Sequence, residues 1–233
     1  SLLLYSSLAL RDTLVLMFML LSVIFFLENR RLLAILISLP LLVIKFQNFF
    51  LIIVFFVAHL YFSRDSIIYR FRYIFAIIII ASIAPFLLSI IEILDQSRLN
   101  MYIDDGGYRG AYEHIRTIED FVIIAIKSAP YFLMKPLPWE ADSFLTFLQS
   151  FENIFVFIFL GYMLIQTSRF DRQIAFKWFI YLFAALSIYG LVVYNFGTAV
   201  RYKFPFIVIV IVGMAYELYL KHGKLILNKS TKL

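Results

Sequence analysis

The side chains best suited to chemistry gather in one polar stretch, residues 95–143, between regions of strongly apolar sequence. Glu140 and Asp142 follow two prolines that stiffen the backbone, and either carboxylate can serve as a general base in a partly dry site. His114 is the other group of the stretch that can exchange a proton near neutral pH. The stretch therefore offers three candidate catalytic bases, with Glu140 ahead of Asp142 and His114.

Two aromatic residues of the same stretch are candidates for sugar contact. Trp139 and Tyr108 can each place an apolar ring face against a pyranose while neighbouring acids bind the hydroxyl groups. The alternative for Trp139 is an anchoring role, because tryptophan is enriched at membrane–water interfaces.

A sparse set of cations lies at the ends of apolar runs, where charge is costly unless it meets water, a partner or an anionic ligand. Arginine can bind two phosphate oxygens at once through its planar fork. We therefore predict a pyrophosphate-binding set: Arg11, Arg201, Lys203, Lys135 and Lys45. The alternative is that each cation only extends to the interface and anchors a helix there.

A metal centre is not predicted. Asp104 and Asp105 precede Gly106 and Gly107, a pattern that favours a turn over a calcium site because it lacks the regular oxygen spacing of an EF-hand. The chain has no cysteine, so it holds no disulfide and no thiol nucleophile.

Composition indicates that lipid is the solvent for the elements that carry these residues. The chain of 233 residues is 63% hydrophobic and 15% charged, whereas soluble domains are roughly a quarter charged. We predict an all-α, polytopic transmembrane helical bundle with one long polar stretch. The spans are expected near residues 13–27, 32–44, 49–62, 73–94, 144–166, 178–194 and 204–220.

Several of these spans are short, and 32–44 with 49–62 form either two short helices or a re-entrant hairpin. Because the sequence starts at Ser1 inside apolar sequence, we expect it to be the C-terminal portion of a longer polytopic protein. Within 95–143, the polar and apolar spacing of 112–126 predicts an interfacial helix that is interrupted at Pro130.

Charge asymmetry predicts the orientation of the chain. Connections rich in Lys and Arg lie at 28–31, 64–72, 169–177 and 221–232, and counting spans puts all of them on one side. The positive-inside rule makes that side the cytoplasm, together with the C-terminus. Acidic residues outnumber basic ones in 95–143, which fits an extracytoplasmic stretch. The net charge of +6 thus reflects topology, and no nucleic-acid partner is expected.

Ordered landmarks along the chain resemble a known family. They are Leu10-Arg11-Asp12-Thr13-Leu14, Lys45 after the next apolar run, Lys135-Pro136-Leu137-Pro138-Trp139-Glu140, and residues 195–205, NFGTAVRYKFP. Together they resemble the C-terminal half of Wzy-type O-antigen and capsular polysaccharide polymerases. The spans that precede this half in the family are not in this sequence, and Lys45 stands where the family leads us to expect arginine.

The resemblance implies a GT-C-like, metal-independent glycosyltransferase of the bacterial inner membrane that needs no cofactor. It would move a growing glycan from undecaprenyl pyrophosphate to a hydroxyl of another lipid-linked repeat unit. Its partners would be the polyprenyl-pyrophosphate-linked oligosaccharide, the lipid bilayer and a chain-length regulator protein.

Other functions share this chemistry and stay open. A flippase or transporter of lipid-linked oligosaccharide would bind the same ligand without extending it. Another lipid-donor glycosyltransferase, or an O-antigen ligase, would use the same phosphate-binding cations and the same kind of base. A non-catalytic scaffold would need neither.

Overall fold

A computed structural model describes residues 2–63, 66–104, 106, 108–109, 112–141, 143–194 and 196–230, and these contain helices and no strand. The prediction of an all-α protein is confirmed for this part of the chain. The helices are α1 (Leu2–Leu27), α2 (Arg31–Ser38), α3 (Pro40–Ile44), α4 (Phe46–Phe62), α5 (Ile67–Arg70), α6 (Arg72–Ile83), α7 (Leu87–Asp104), α8 (Ile118–Met134), α9 (Phe144–Phe170), α10 (Arg172–Val192) and α11 (Phe196–Ser230).

Four segments in the described part of the chain are long and apolar enough to cross a membrane: Leu10–Leu27, Phe144–Phe170, Arg172–Val192 and Gly197–Lys221. Many of their large apolar side chains are exposed, and α9 is an example because only 17% of its span is buried. A soluble protein rarely exposes so continuous an apolar surface. The described fold is therefore that of a helical membrane protein.

The shorter apolar runs are broken by identifiable residues. Pro40 begins α3 shortly after α2, and Lys45 ends α3 with non-helical backbone angles (φ −159°, ψ 83°) before α4 begins. The region thus forms short helices. The run predicted as one span at 73–94 is divided by a 3₁₀ turn, Ala84–Phe86, which contains the proline that cannot continue α-helical hydrogen bonding.

Much of the polar stretch 95–143 is helical. Helix α7 extends through Asp104, and Gly106 follows in a turn with φ of +89°, as the glycines predict. Helix α8 begins after Thr117, whose side-chain oxygen accepts from the backbone N–H of Asp120 and so caps the helix. The helix continues past Pro130 to Met134. The expected interruption at Pro130 is wrong, because a proline one turn from a helix end removes only one hydrogen bond.

Helix α11 begins before the predicted span. Residues 196–203, which precede the span predicted at 204–220, are the first turns of α11. Pro205 lies inside this helix and cannot donate to the carbonyl of Arg201. Arg201 and Lys203 are therefore helical residues, which fixes the directions in which their side chains point.

The chain divides into two compact units. Unit 1 comprises Ser1–His59, Leu160–Leu182 and Phe204–Leu233, and unit 2 comprises Leu60–Phe159 and Phe183–Lys203. The core of unit 1 is aromatic: Phe55 lies 4.9 Å from Trp178 and 5.4 Å from Tyr181, between ring centroids. All three side chains are buried.

Unit 1 also contains a polar group of residues, which we call the Glu217 cluster: His59, Lys177, Trp178 and Glu217. Lys177 and Trp178 are buried, and His59 and Glu217 are partly buried. The ammonium of Lys177 donates to Glu217 Oε1 and, at 3.2 Å, to His59 Nδ1. The indole N–H of Trp178 donates to Glu217 Oε2 at 2.9 Å. His59 thus has the hydrogen-bonded structural role that its position in an apolar run predicts.

The core of unit 2 joins α7, α8 and α10. Ile91, Ile115 and Leu191 pack together beneath partly buried residues of α8. Gly190 lets α10 approach α8 closely, because a Cβ at this position would lie 2.7 Å from the carbonyl oxygen of Ser128. This packing fixes residues 112–117, which precede α8, against α7 and α10.

We expect Gly213→Ala to destabilise unit 1 by about 1–3 kcal/mol, the usual cost of overpacking. The new Cβ would lie 2.2 Å from Cη2 of the buried Trp178 ring, so α10 and α11 would have to separate locally. Gly161→Ala in α9 is the matched control, because nothing lies within 4 Å of its Cβ position. Equal thermal stability of the two variants in detergent would contradict this packing.

Candidate functional site

The polar residues of unit 2 form two centres, and the first surrounds the carboxylate of Asp95 in α7. Its Oδ1 accepts from the hydroxyl of Tyr112 at 2.9 Å and from the backbone N–H of Ile115 at 2.8 Å. Its Oδ2 lies 2.7 Å from His114 Nδ1. We call these residues, Asp95, Tyr112 and His114, the Asp95 centre.

Asp95 is held in its charged form. Burial disfavours the carboxylate, but hydrogen bonds from Ile115, His114 and Tyr112 outweigh burial and keep the pKa of Asp95 below its usual value. Burial and the hydrogen bond to Asp95 raise the pKa of the Tyr112 phenol, so this hydroxyl remains a donor near neutral pH. A charged acceptor facing Nδ1 requires that nitrogen to carry the proton in the neutral His114 ring.

The His114 side chain is exposed beside the Tyr112 ring. The ring stands edge-on to Tyr112, with centroids 4.8 Å apart and an angle of 86°. The side chain of His114 is 41% exposed, whereas that of Asp95 is 15% exposed. Asp95 thus orients the imidazole through Nδ1, and Nε2 is the ring nitrogen that does not face Asp95.

The buried Arg98 side chain lies next to the Asp95 centre and binds two backbone carbonyls near it. Its Nε donates to the carbonyl of Leu191 at 2.8 Å, and its NH1 donates to the carbonyl of Glu113 at 3.3 Å. The guanidinium lies 5.3 Å from the centroid of the Tyr112 ring. Arg98 is buried, so it joins the backbone on either side of the centre and does not reach solvent.

The second centre is a junction at the end of α8, which we call the Lys203 junction. The ammonium of Lys203 donates to the carbonyls of Leu133 and Lys135 at 2.9 and 2.8 Å. Asn153 of α9 donates to the same Lys135 carbonyl at 2.9 Å, and the ammonium of Lys135 donates to the carbonyl of Tyr194. Both lysines are buried. A cation at a helix C-terminus is favourable because the last carbonyls lack helical donors.

Helical geometry separates the two α11 cations that the sequence placed together. Arg201 and Lys203 are two residues apart and therefore about 200° apart around the helix. Lys203 points into unit 2, whereas the Arg201 side chain is exposed. Lys203 therefore forms hydrogen bonds inside unit 2, whereas Arg201 is exposed.

The leading base candidate, Glu140, is engaged in a turn. Its Oε1 accepts from the hydroxyl of Tyr131 at 2.6 Å, and its Oε2 accepts from the backbone N–H of Leu137 at 2.9 Å. These bonds close the 3₁₀ turn Pro138–Glu140 and leave Trp139 highly exposed, at 80%. Tyr108 is also exposed, at 79%. Asp142 lies outside the described residues.

The other two predicted cations belong to unit 1. Arg11 of α1 is exposed, and its NH2 donates to the carbonyl of Ile44 at 2.7 Å. Lys45, the residue after Ile44, is partly buried where α3 ends. Both residues thus lie near the break between α3 and α4, and their role in binding pyrophosphate stays a prediction.

Asp95, Tyr112 and Arg98 are the residues that sequence reasoning missed. A carboxylate at the end of an apolar run was a signal, because such a charge needs a partner, but 19 residues separate Asp95 from His114.

Among the described residues, no group of three His, Cys, Asp or Glu side chains is arranged to hold a metal ion. No family model, curated protein or solved structure matches this chain.

Proposed function

We propose that the protein is a membrane glycosyltransferase that polymerises undecaprenyl-pyrophosphate-linked oligosaccharide repeat units during surface polysaccharide synthesis. It acts at the outer face of the bacterial inner membrane, with residues 95–143 extracytoplasmic and the C-terminus cytoplasmic. The observation that carries the proposal is the exposure of Arg201 near the start of a candidate membrane span. Arg201 belongs to the same compact unit as the Asp95 centre.

The chemistry assigned to Arg201 follows from its side chain. Glycosyl transfer from a polyprenyl pyrophosphate breaks the bond between the anomeric carbon and the pyrophosphate oxygen, so negative charge develops on the leaving group. A guanidinium binds two such oxygens through parallel N–H donors and stabilises them more in the transition state than in the bound substrate. Trp139 and Tyr108 are the candidate sugar contacts.

We expect Arg201→Ala to abolish polymer in a deletion strain complemented with the full-length gene, while protein level stays unchanged. Loss of one preorganised donor to developing charge lowers a rate by about 10²–10³-fold. The measurement is the glycan ladder on a gel, where single repeat units should remain and the longer bands should disappear. Arg201→Lys should retain more polymer than Arg201→Ala, because it keeps the charge without the planar fork.

Arg116→Ala is the matched control, because it removes an exposed cation of the polar stretch that is not on α11. It should leave the ladder unchanged. A wild-type ladder in Arg201→Ala would exclude the assignment of Arg201. Loss of all surface glycan on gene deletion, including single repeat units, would instead indicate a flippase, a ligase or an earlier transferase.

A further inference from the structure

We propose that His114, positioned by Asp95, is the general base that takes the proton from the acceptor hydroxyl. This inference rests on the proposed function and identifies the catalytic base of that same site. His114 is the catalytic residue, because its Nε2 would touch the hydroxyl, and Asp95 is a positioning residue that acts through the imidazole ring.

Three contacts hold Asp95 so that it can orient His114. The Tyr112 hydroxyl and the Ile115 backbone N–H both bind Oδ1, and His114 Nδ1 lies 2.7 Å from Oδ2. Since Oδ1 is occupied by two donors, the carboxylate cannot rotate away from the imidazole without losing them. A base needs its ring and its tautomer fixed before the substrate arrives, and this arrangement fixes both.

Among the described residues, Arg98, Tyr102 and Tyr194 lie near the Asp95 centre. Arg98 of α7 is buried against backbone carbonyls and the Tyr112 ring. Tyr102 of α7 lies 5.6 Å from the Tyr112 ring and 5.1 Å from the Tyr194 ring. The His114 side chain itself is 41% exposed. Glu140, the alternative base, uses both carboxylate oxygens within its own turn.

The reaction balances without a further reactant. His114 Nε2 accepts the proton of the acceptor hydroxyl as its oxygen forms a bond to the anomeric carbon of the donor. The bond between that carbon and the pyrophosphate oxygen breaks, and the electron pair leaves with the polyprenyl pyrophosphate. The imidazolium is stabilised by the Asp95 carboxylate and then returns its proton to water.

The test uses full-length protein reconstituted in lipid nanodiscs, with lipid-linked repeat units extracted from the deletion strain as substrate. We expect His114→Ala to slow elongation by about 10²–10⁴-fold, the usual contribution of a general base. Added imidazole should restore part of the rate in His114→Ala and leave the wild-type rate unchanged. Asp95→Asn should slow elongation as well, without rescue by imidazole, because its His114 still occupies the site.

The outcomes separate this inference from the proposed function. If wild-type protein does not elongate these substrates, the proposed function fails. If wild-type protein elongates them and His114→Ala does so equally well, or is inactive without imidazole rescue although folded, the assignment of His114 is wrong. Should His114→Ala not fold, diethylpyrocarbonate treatment of wild-type protein decides: modification of His114 must stop elongation, and substrate must protect it.

Discussion

Replacing Glu217 with leucine is expected to lower the free energy of unfolding by about 3–5 kcal/mol, the cost of breaking a buried ion pair on one side. The Lys177 side chain, which is only 8% exposed, would lose its ionic partner. The Trp178 indole N–H would lose its acceptor as well. Thermal or chemical unfolding of the purified protein in detergent measures the change.

Two comparisons identify the cause of this loss. The double variant Lys177→Met/Glu217→Leu should recover most of the stability, because apolar residues often replace a buried ion pair at little cost. Lys221→Met removes the ion pair with Asp171, in which the lysine is 54% exposed. That change should cost at most about 1 kcal/mol. A double variant no more stable than Glu217→Leu would show that the Glu217 cluster contributes through packing alone.

Replacing Lys203 with methionine is the second change with a large expected effect. The Leu133 carbonyl would lose the donor described here, and the Lys135 carbonyl would keep only Asn153. Hydrogen bonds from a charged donor contribute about 1.5–3 kcal/mol each, so we expect a loss of about 3 kcal/mol or more. Unfolding in detergent measures it, and hydrogen exchange should rise at the end of α8.

Arg201→Met is the matched control, since it removes a cation two residues away that is exposed. It should abolish polymer and lower stability less than Lys203→Met does, whereas Lys203→Met should lower both. If Lys203→Met instead keeps full stability and loses polymer, then Lys203 contacts the pyrophosphate directly, as the sequence predicts, and its bonds to carbonyls are secondary.

Helix content was predictable from the sequence because lipid leaves the backbone few other ways to satisfy its hydrogen bonds. The boundaries of the helices were less predictable. Hydropathy reports whether side chains tolerate lipid, and it is insensitive to backbone geometry. It therefore missed the 3₁₀ turn Ala84–Phe86 inside an apolar run and the start of α11 at Phe196, ahead of the apolar run.

The sequence predicted the region of the chain that holds the candidate site. It did not predict which residues of that region contact one another. Charge patterning placed the polar residues in 95–143, but it cannot say which of them bind one another. Asp95 meets His114 only because residues 112–117 fold back along α7. The separation of Arg201 from Lys203 was not predicted either, because the span was expected to begin at residue 204 and only their place in α11 gives the two residues helical spacing.

Arg98 has a mechanical consequence. Its two bonds attach the carbonyl of Glu113, the residue before His114, to the carbonyl of Leu191 at the end of α10, 93 residues along the chain from Arg98 itself. A displacement of that end of α10 would have to stretch these bonds or move the backbone beside His114. The position of the imidazole therefore depends on the end of an apolar helix as well as on Asp95.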